Sequence, residues 1–205
     1  MSVGILMYGP PASGKDTVTK ALTESNPLYR HFRRLKVGGG RTDGYRITSP
    51  EKIADLKSTG GIVWENERYG ASYYVDQPSL AQDLSEACPV LHLGQPAAIH
   101  AVTEAFPETR WVIVQLWCPR DLAEQRVIQR ATGDVAERMA IWDDTEHVPA
   151  TITIDTATVS PGGAARQIDQ AVQREDPWAT LSWEARRKAA VSLRPLSEPE
   201  WRQGR

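Results

Sequence analysis

Cysteine is scarce: Cys88 and Cys118 are the two among 205 residues. They match no metal-ligand spacing and frame no disulfide scaffold, so a reducing cytosol is the default compartment. Each sits beside an apolar run and reads as a small buried residue. An excess of charge is missing too. The net charge is −2 and the pI about 6.1, which excludes a general nucleic-acid or membrane-surface binder. The opening MSVGILMYG has no basic segment and too short an apolar run for a signal peptide. No run approaches the roughly 18 apolar residues that a bilayer demands. Internal repeats are also lacking. These absences predict a cytoplasmic protein with no membrane or nucleic-acid partner.

What is present is a core. Hydrophobic residues make up 40% of the chain, enough for one α/β domain with small insertions. Short apolar runs alternate with helical patterns. VGILMYG (3–9), PVLHLG (89–94), RWVIVQLWC (110–118) and TITID (151–155) read as strands. Residues 16–25, 79–87, 96–106, 119–131, 134–144 and 162–172 read as helices, with Pro119 in a first helical turn that tolerates its missing N–H. Strands separated by helices predict an α/β fold, a mostly parallel sheet covered by helices on both faces. Residues 26–76 differ, being rich in Arg, Gly and Tyr. The tail, 174–205, shifts composition again and carries WEARRKAAVSL, a candidate amphipathic helix; the tail's tryptophans would pack back on the domain, the alternative being a partner-binding or partly disordered tail.

The first strand runs into GPPASGKDT, residues 9–17. It fits the phosphate-binding pattern G-x-x-x-x-G-K-[ST] except at Asp16, where a hydroxyl is expected. The loop follows a strand and opens a helix. Gly9 and Gly14 permit a tight wrap, and backbone N–H groups around Ala12, Ser13 and Gly14 would meet an anion at the positive helix end. Lys15 would reach the terminal phosphates of ATP. Asp16 could hold Mg²⁺ directly or through water, or leave that contact to Thr17.

Further motifs carry a resemblance. The segment RRLKVGGGRTDGYRITSPEKI (33–53), the segment WENERYGASYY (64–74) and PRDLAEQRVIQRATGDVAERM (119–139) follow that loop in order. Across residues 3–173 the chain resembles the guanylate kinase family of P-loop nucleoside monophosphate kinases. The resemblance implies a kinase domain over 1–173, with an acceptor-binding insert at about 28–76, a short lid at about 130–138 and a C-terminal extension over 174–205. Arg33 and Lys36 take the family's two phosphate-binding positions, Gly38 its glycine and Tyr45 its tyrosine. Glu65 and Tyr73 fall in its second acceptor segment. Arg34 and Arg41 stand ready as further cations. Ser49 opens a helix with a capping pattern. Arg126, Arg130 and Arg138 match the lid arginines that would neutralise charge on the transferring phosphoryl group.

The base-reading positions depart from the family. Val63 stands where an acid precedes the aromatic Trp64, Gly94 stands near a core Asp, and Lys36 replaces an Arg. Ribose 1,5-bisphosphate phosphokinases share the G-K-D-[ST] ending. The expectation is therefore ATP- and Mg²⁺-dependent phosphoryl transfer to a small phosphorylated acceptor: first a nucleoside monophosphate such as GMP, alternatively a sugar phosphate, alternatively no catalysis, in a binding module. A hydroxyl acceptor would need a base, for which Glu65 and Asp76 are the acids at hand.

Overall fold

The five apolar strands of the core alternate their side chains between two faces, and each face needs its own cover. In the computed structural model, which describes residues 2–131, 133–174 and 181–192, β1 (Val3–Tyr8) lies at the centre of a parallel sheet. The order is β2 (Tyr29–His31), β7 (Cys88–Leu93), β1, β8 (Arg110–Trp117), β9 (Ile152–Asp155). Ile5 and Met7 point to one face, into a cluster with Val18 and Leu22 of α1 (Lys15–Ser25) and Ala164, Ala165 and Ile168 of α7 (Pro161–Gln173). Leu6 and Tyr8 point to the other. There they meet Leu80 and Leu84 of α3 (Gln77–Glu86), Ile99 and Val102 of α4 (Pro96–Ala105), and Trp183 of α8 (Trp183–Ser192). The chain has the expected α/β architecture: a mostly parallel sheet with helices on both faces.

The segment between α1 and α3 builds a second sheet. Its strands run in the order β4 (Arg46–Ile47), β3 (Leu35–Gly38), β6 (Ala71–Asp76), β5 (Ile62–Arg68). One face is covered by α2 (Pro50–Ser58), where Leu35, Ile53 and Tyr74 form a small core. Ser49 caps α2, its Oγ accepting from the Lys52 N–H at 3.3 Å. Tyr29–His31, inside the stretch read as insert, pairs with β7 and so belongs to the first sheet.

Helices α5 (Arg120–Gln129) and α6 (Val135–Asp143) pack together against the loop after β1, through Ala12, Cys118, Ala123, Val127 and Met139. Pro119 is the residue before α5 rather than its first turn. The described part of the tail, 181–192, packs back: Trp183 and Arg186 of α8 are buried, and Arg186 donates to the Trp111 carbonyl at 3.0 Å. Trp178 and Trp201 lie outside the described residues.

Candidate functional site

The loop between β1 and α1 is shaped by glycine. Gly9 has φ +148°, and a Cβ there would sit 2.1 Å from the Leu116 carbonyl oxygen. Gly14 adopts φ +93° and starts α1 with no side-chain cap, so no capping side chain takes the first helical N–H groups. Ala12 also has positive φ, 59°. The resulting loop puts Gly9, Ala12, Ser13, Gly14, Lys15 and Asp16 on the cleft wall.

Lys15 folds back along this loop. Its Nζ donates to the carbonyls of Gly9 (2.7 Å) and Pro10 (2.8 Å) and to Ser13 Oγ (3.3 Å). Burial pushes its ammonium down to about 8; nearby Asp16 opposes the fall, while Arg130 and Arg34 add to it. Asp16 is gripped from two sides. Arg41 Nη1 lies 2.8 Å from one carboxylate oxygen and His92 Nδ1 3.3 Å from the other. The hydrogen bond from His92, then that from Arg41, holds the Asp16 carboxyl far below the usual range. His92 Nε2 lies 2.7 Å from Thr19 Oγ1. Burial lowers the His92 pKa, while the neighbouring Asp16 carboxylate, which accepts from Nδ1–H, opposes the fall. His31 stacks on His92 at 4.5 Å between ring centroids, and burial followed by His92 takes it down to about 4.

The second sheet supplies the facing wall. Tyr45 and Tyr73 are 5.1 Å apart, with the Arg34 guanidinium 5.9 Å and 5.2 Å from the two ring centroids. Arg34 Nη1 also reaches Asn66 Oδ1 at 3.4 Å. Strand periodicity decides who joins them. Asn66 pairs in register with Tyr73, so Asn66 and Arg68 share its face, whereas Glu65 pairs with Tyr74 on the other face.

Several expected residues therefore lie elsewhere. Glu65 is turned away from the cleft to Lys57 of α2, 2.5 Å from its Nζ. Arg33 is exposed outside the cleft; the adjacent Arg34 lines it instead. Lys36 is buried on the cleft side of its sheet, but its Nζ donates to the carbonyls of Gly39 (2.5 Å) and Arg41 (2.7 Å). It braces the glycine-rich loop that carries Arg41 rather than facing the cleft. Asp76 is buried, ion-paired with Arg46, and caps α3 through the Ser79 N–H at 3.4 Å. That leaves it no access to a substrate proton.

The three arginines read from the sequence as lid residues divide. Arg130 and Arg138 line the cleft, Arg138 with its Nε 2.7 Å from Asp134 Oδ1 and its guanidinium 4.5 Å from the centre of the Tyr69 ring. Arg126 is turned under the loop, donating to the carbonyls of Ala12 (3.1 Å) and Thr156 (2.9 Å) and to Thr156 Oγ1 (3.0 Å). There it lines a second cavity with Thr17, Thr156, Val159 and Arg130. Asp16 and Thr17, adjacent in sequence, thus face different spaces. Gly94 and Gln95 line the main cleft, and a side chain at Gly94 would meet nothing within 4 Å. Tyr69, Arg68 and Asn66 escaped the sequence reading, although the E-N-E-R-Y-G alternation ahead of a glycine carries their signal.

As chemistry, the cleft suits an anion. Lys15, Arg34, Arg41, Arg68, Arg130 and Arg138 converge on it, while Asp16 is the one carboxylate among its described lining residues. A Mg²⁺ ion needs oxygen ligands and tolerates a single carboxylate when phosphates and water supply the rest. The ionised, half-exposed Asp16 fits that demand; Thr17, in the other cavity, does not share the position. No group of three or more metal-ligating side chains occurs among the described residues, and none of their helices is long and apolar enough to cross a membrane.

No family model matches the chain, and no curated protein matches it. Solved structures do. A guanylate kinase from Anaplasma phagocytophilum superposes with a TM-score of 0.56 at 15% identity, over 96% of this chain and 98% of its own. A sugar kinase from Janibacter sp. HTCC2649 gives a TM-score of 0.51 at 11% identity, over 88% of this chain and 99% of its own. At such identities the likeness is one of fold, and the fold is kinase-like.

Proposed function

We propose that the chain is an ATP-dependent phosphotransferase acting on a small phosphorylated acceptor. The observation that carries this reading is the convergence of Lys15, Arg130 and Arg138 with Arg34, Arg41 and Tyr45 on one cleft, at the end of a glycine loop opening a helix. Loop amides and Lys15 would hold the donor's terminal phosphates. The cavity between Thr17, Arg126 and Val159 would take the rest of the donor nucleotide. Arg34, Arg41, Tyr45 and Tyr73 would bind the acceptor's phosphate, and Arg130 and Arg138 would offset charge spreading over the transferring group. Mg²⁺, when bound, would neutralise donor phosphate charge, and Asp16 is the side chain that would hold it. A phosphate acceptor is already an ionised nucleophile at neutral pH, so the turning away of Glu65 and Asp76 removes nothing the reaction needs. Arg126 serves by holding Ala12 and Thr156, which shapes the donor side.

Between acceptors, one observation favours a sugar phosphate. Guanine offers N–H donors that call for a carboxylate, yet the one carboxylate among the cleft's described lining residues, Asp16, stands on the donor loop and Glu65 faces α2. The remaining guanidinium, Arg68, suits a second anionic group on the acceptor. A nucleoside monophosphate is the second reading, supported by the guanylate kinase likeness across nearly the whole chain. A silent binding module would have no use for Lys15 and Arg130 on the wall of one cleft. An acceptor screen distinguishes the three. ADP release from ATP and Mg²⁺ is measured with GMP, dGMP, AMP, CMP, UMP and ribose 1,5-bisphosphate. Release with the sugar bisphosphate is the expected result. Release with GMP alone would install the nucleotide reading. ATP binding without release on any acceptor would support the module.

A further inference from the structure

β5 and β6 are joined by a two-residue turn, Tyr69-Gly70, between the paired residues Arg68 and Ala71. Both turn residues have positive φ, 54° and 66°. This geometry suits Asn-Gly or Asp-Gly; an aromatic residue in the left-handed region is strained. Strain kept at a cleft wall points to something gained there. The ring of Tyr69 is half-buried and lies under the Arg138 guanidinium, 4.5 Å from centroid to Cζ. Asp134 takes the Nε side of the same guanidinium at 2.7 Å. Asp134 is its one hydrogen-bond partner among the described residues, so its terminal nitrogens stay available to the cleft.

We infer that Tyr69 is a positioning residue: the second sheet reaches across the cleft through it and fixes Arg138 where the donor's terminal phosphate would lie. The ring face and the Asp134 carboxylate hold the guanidinium from two directions, which removes most of its rotamer freedom before any ligand arrives. The phenol oxygen has no part in this. The inference rests on the phosphotransferase reading, and it makes opposite-signed predictions for fold and function. Tyr69→Asn puts a favoured residue into the turn, so it stabilises the hairpin while freeing Arg138. Were Tyr69 only a turn residue, the same substitution would be harmless or beneficial throughout.

The test is calorimetric titration of the full chain with ADP and with the non-hydrolysable AMP-PNP, each with Mg²⁺, beside thermal melts. The ratio of the two affinities isolates the terminal phosphate. Tyr69→Asn is expected to cut the preference for AMP-PNP about fivefold with ADP affinity held within about twofold, and to melt no lower than the parent. Tyr69→Phe should keep the preference, because the ring face remains. Arg138→Ala should lose it, and adding Tyr69→Asn to Arg138→Ala should lower it no further. An unchanged preference in Tyr69→Asn, an equal loss in Tyr69→Phe, or additive losses in the double variant would overturn the inference and leave the phosphotransferase reading standing. A parent chain that binds neither nucleotide would overturn that reading, and the role of Tyr69 with it.

Discussion

Lys15 meets two opposing demands: a buried ammonium is costly, yet an anion site needs the charge. Burial holds its pKa near 8, against about 10.4 for an unfolded lysine. Between those values the unfolded chain binds the extra proton, so this group's share of stability improves as pH rises from 8 towards 10. Ligand affinity runs the other way. Phosphate needs the protonated form, so ADP affinity should fall as pH passes from 7 to 9.5, with proton uptake on binding that grows above pH 8. Titration calorimetry in buffers of different ionisation enthalpy reads both, and Lys15→Ala should remove the pH dependence. Asp16 gives a separate residue-scale prediction. Its carboxylate stays ionised and is partly exposed, so Asp16→Asn should leave the melting temperature within a few degrees of the parent. It should raise the Mg²⁺ concentration for half-maximal ADP formation about tenfold. An unshifted Mg²⁺ requirement would remove Asp16 from the metal site.

At the level of elements, the second sheet decides which side chains enter the cleft, and it was the least legible part of the sequence. Glycine loop, core strands and most helices follow from apolar periodicity and from where Gly and Pro fall. The stretch 26–76 lacks long apolar runs, because its sheet makes only a small core, Leu35 and Tyr74 against Ile53 of α2 with Val37, Leu56 and Ile62 around them. Alternation does exist in W-E-N-E-R, but its partners are set by cross-strand register, which a single strand does not reveal. That is why Glu65, acidic and near the right place, was expected in the cleft, while Asn66 and Arg68 are there. The Arg33–Arg34 choice turns on the same one-residue parity. Lys36 has a different physical reason: four glycines between 38 and 44 leave free carbonyls that a buried ammonium satisfies. Asp76 ties the second sheet to α3. It caps α3 and pairs with Arg46 of β4, and it is almost fully buried. Asp76→Ala should therefore destabilise the chain by about 3 kcal/mol, because Arg46 would be left without its buried partner. Urea unfolding at pH 7 measures this; a change below about 1 kcal/mol would place the pair among ordinary surface contacts.

Over the whole molecule, the parallel sheet carries the glycine loop and His92 at the C-terminal ends of neighbouring strands β1 and β7, and the second sheet closes over them. This is the usual crevice for ligands in open parallel sheets. The described tail takes part in the fold rather than in the cleft. Trp183 belongs to the core cluster of Leu6, Leu91 and Ile113, and Arg186 is buried against the first residues of β8. Trp183→Ala should lower stability by about 3–5 kcal/mol with nucleotide affinity unchanged, a split that urea unfolding and ADP titration check together. The central claim is that the cleft moves a phosphoryl group rather than merely holding anions. Its most direct test follows label from γ-³²P-ATP, with Mg²⁺ and the acceptor panel, by anion-exchange separation. The account predicts one new labelled product, more anionic than its acceptor, that forms with the parent chain and is lost in Lys15→Ala and Arg138→Ala. Label that stays in ATP, or passes only to inorganic phosphate, would contradict it.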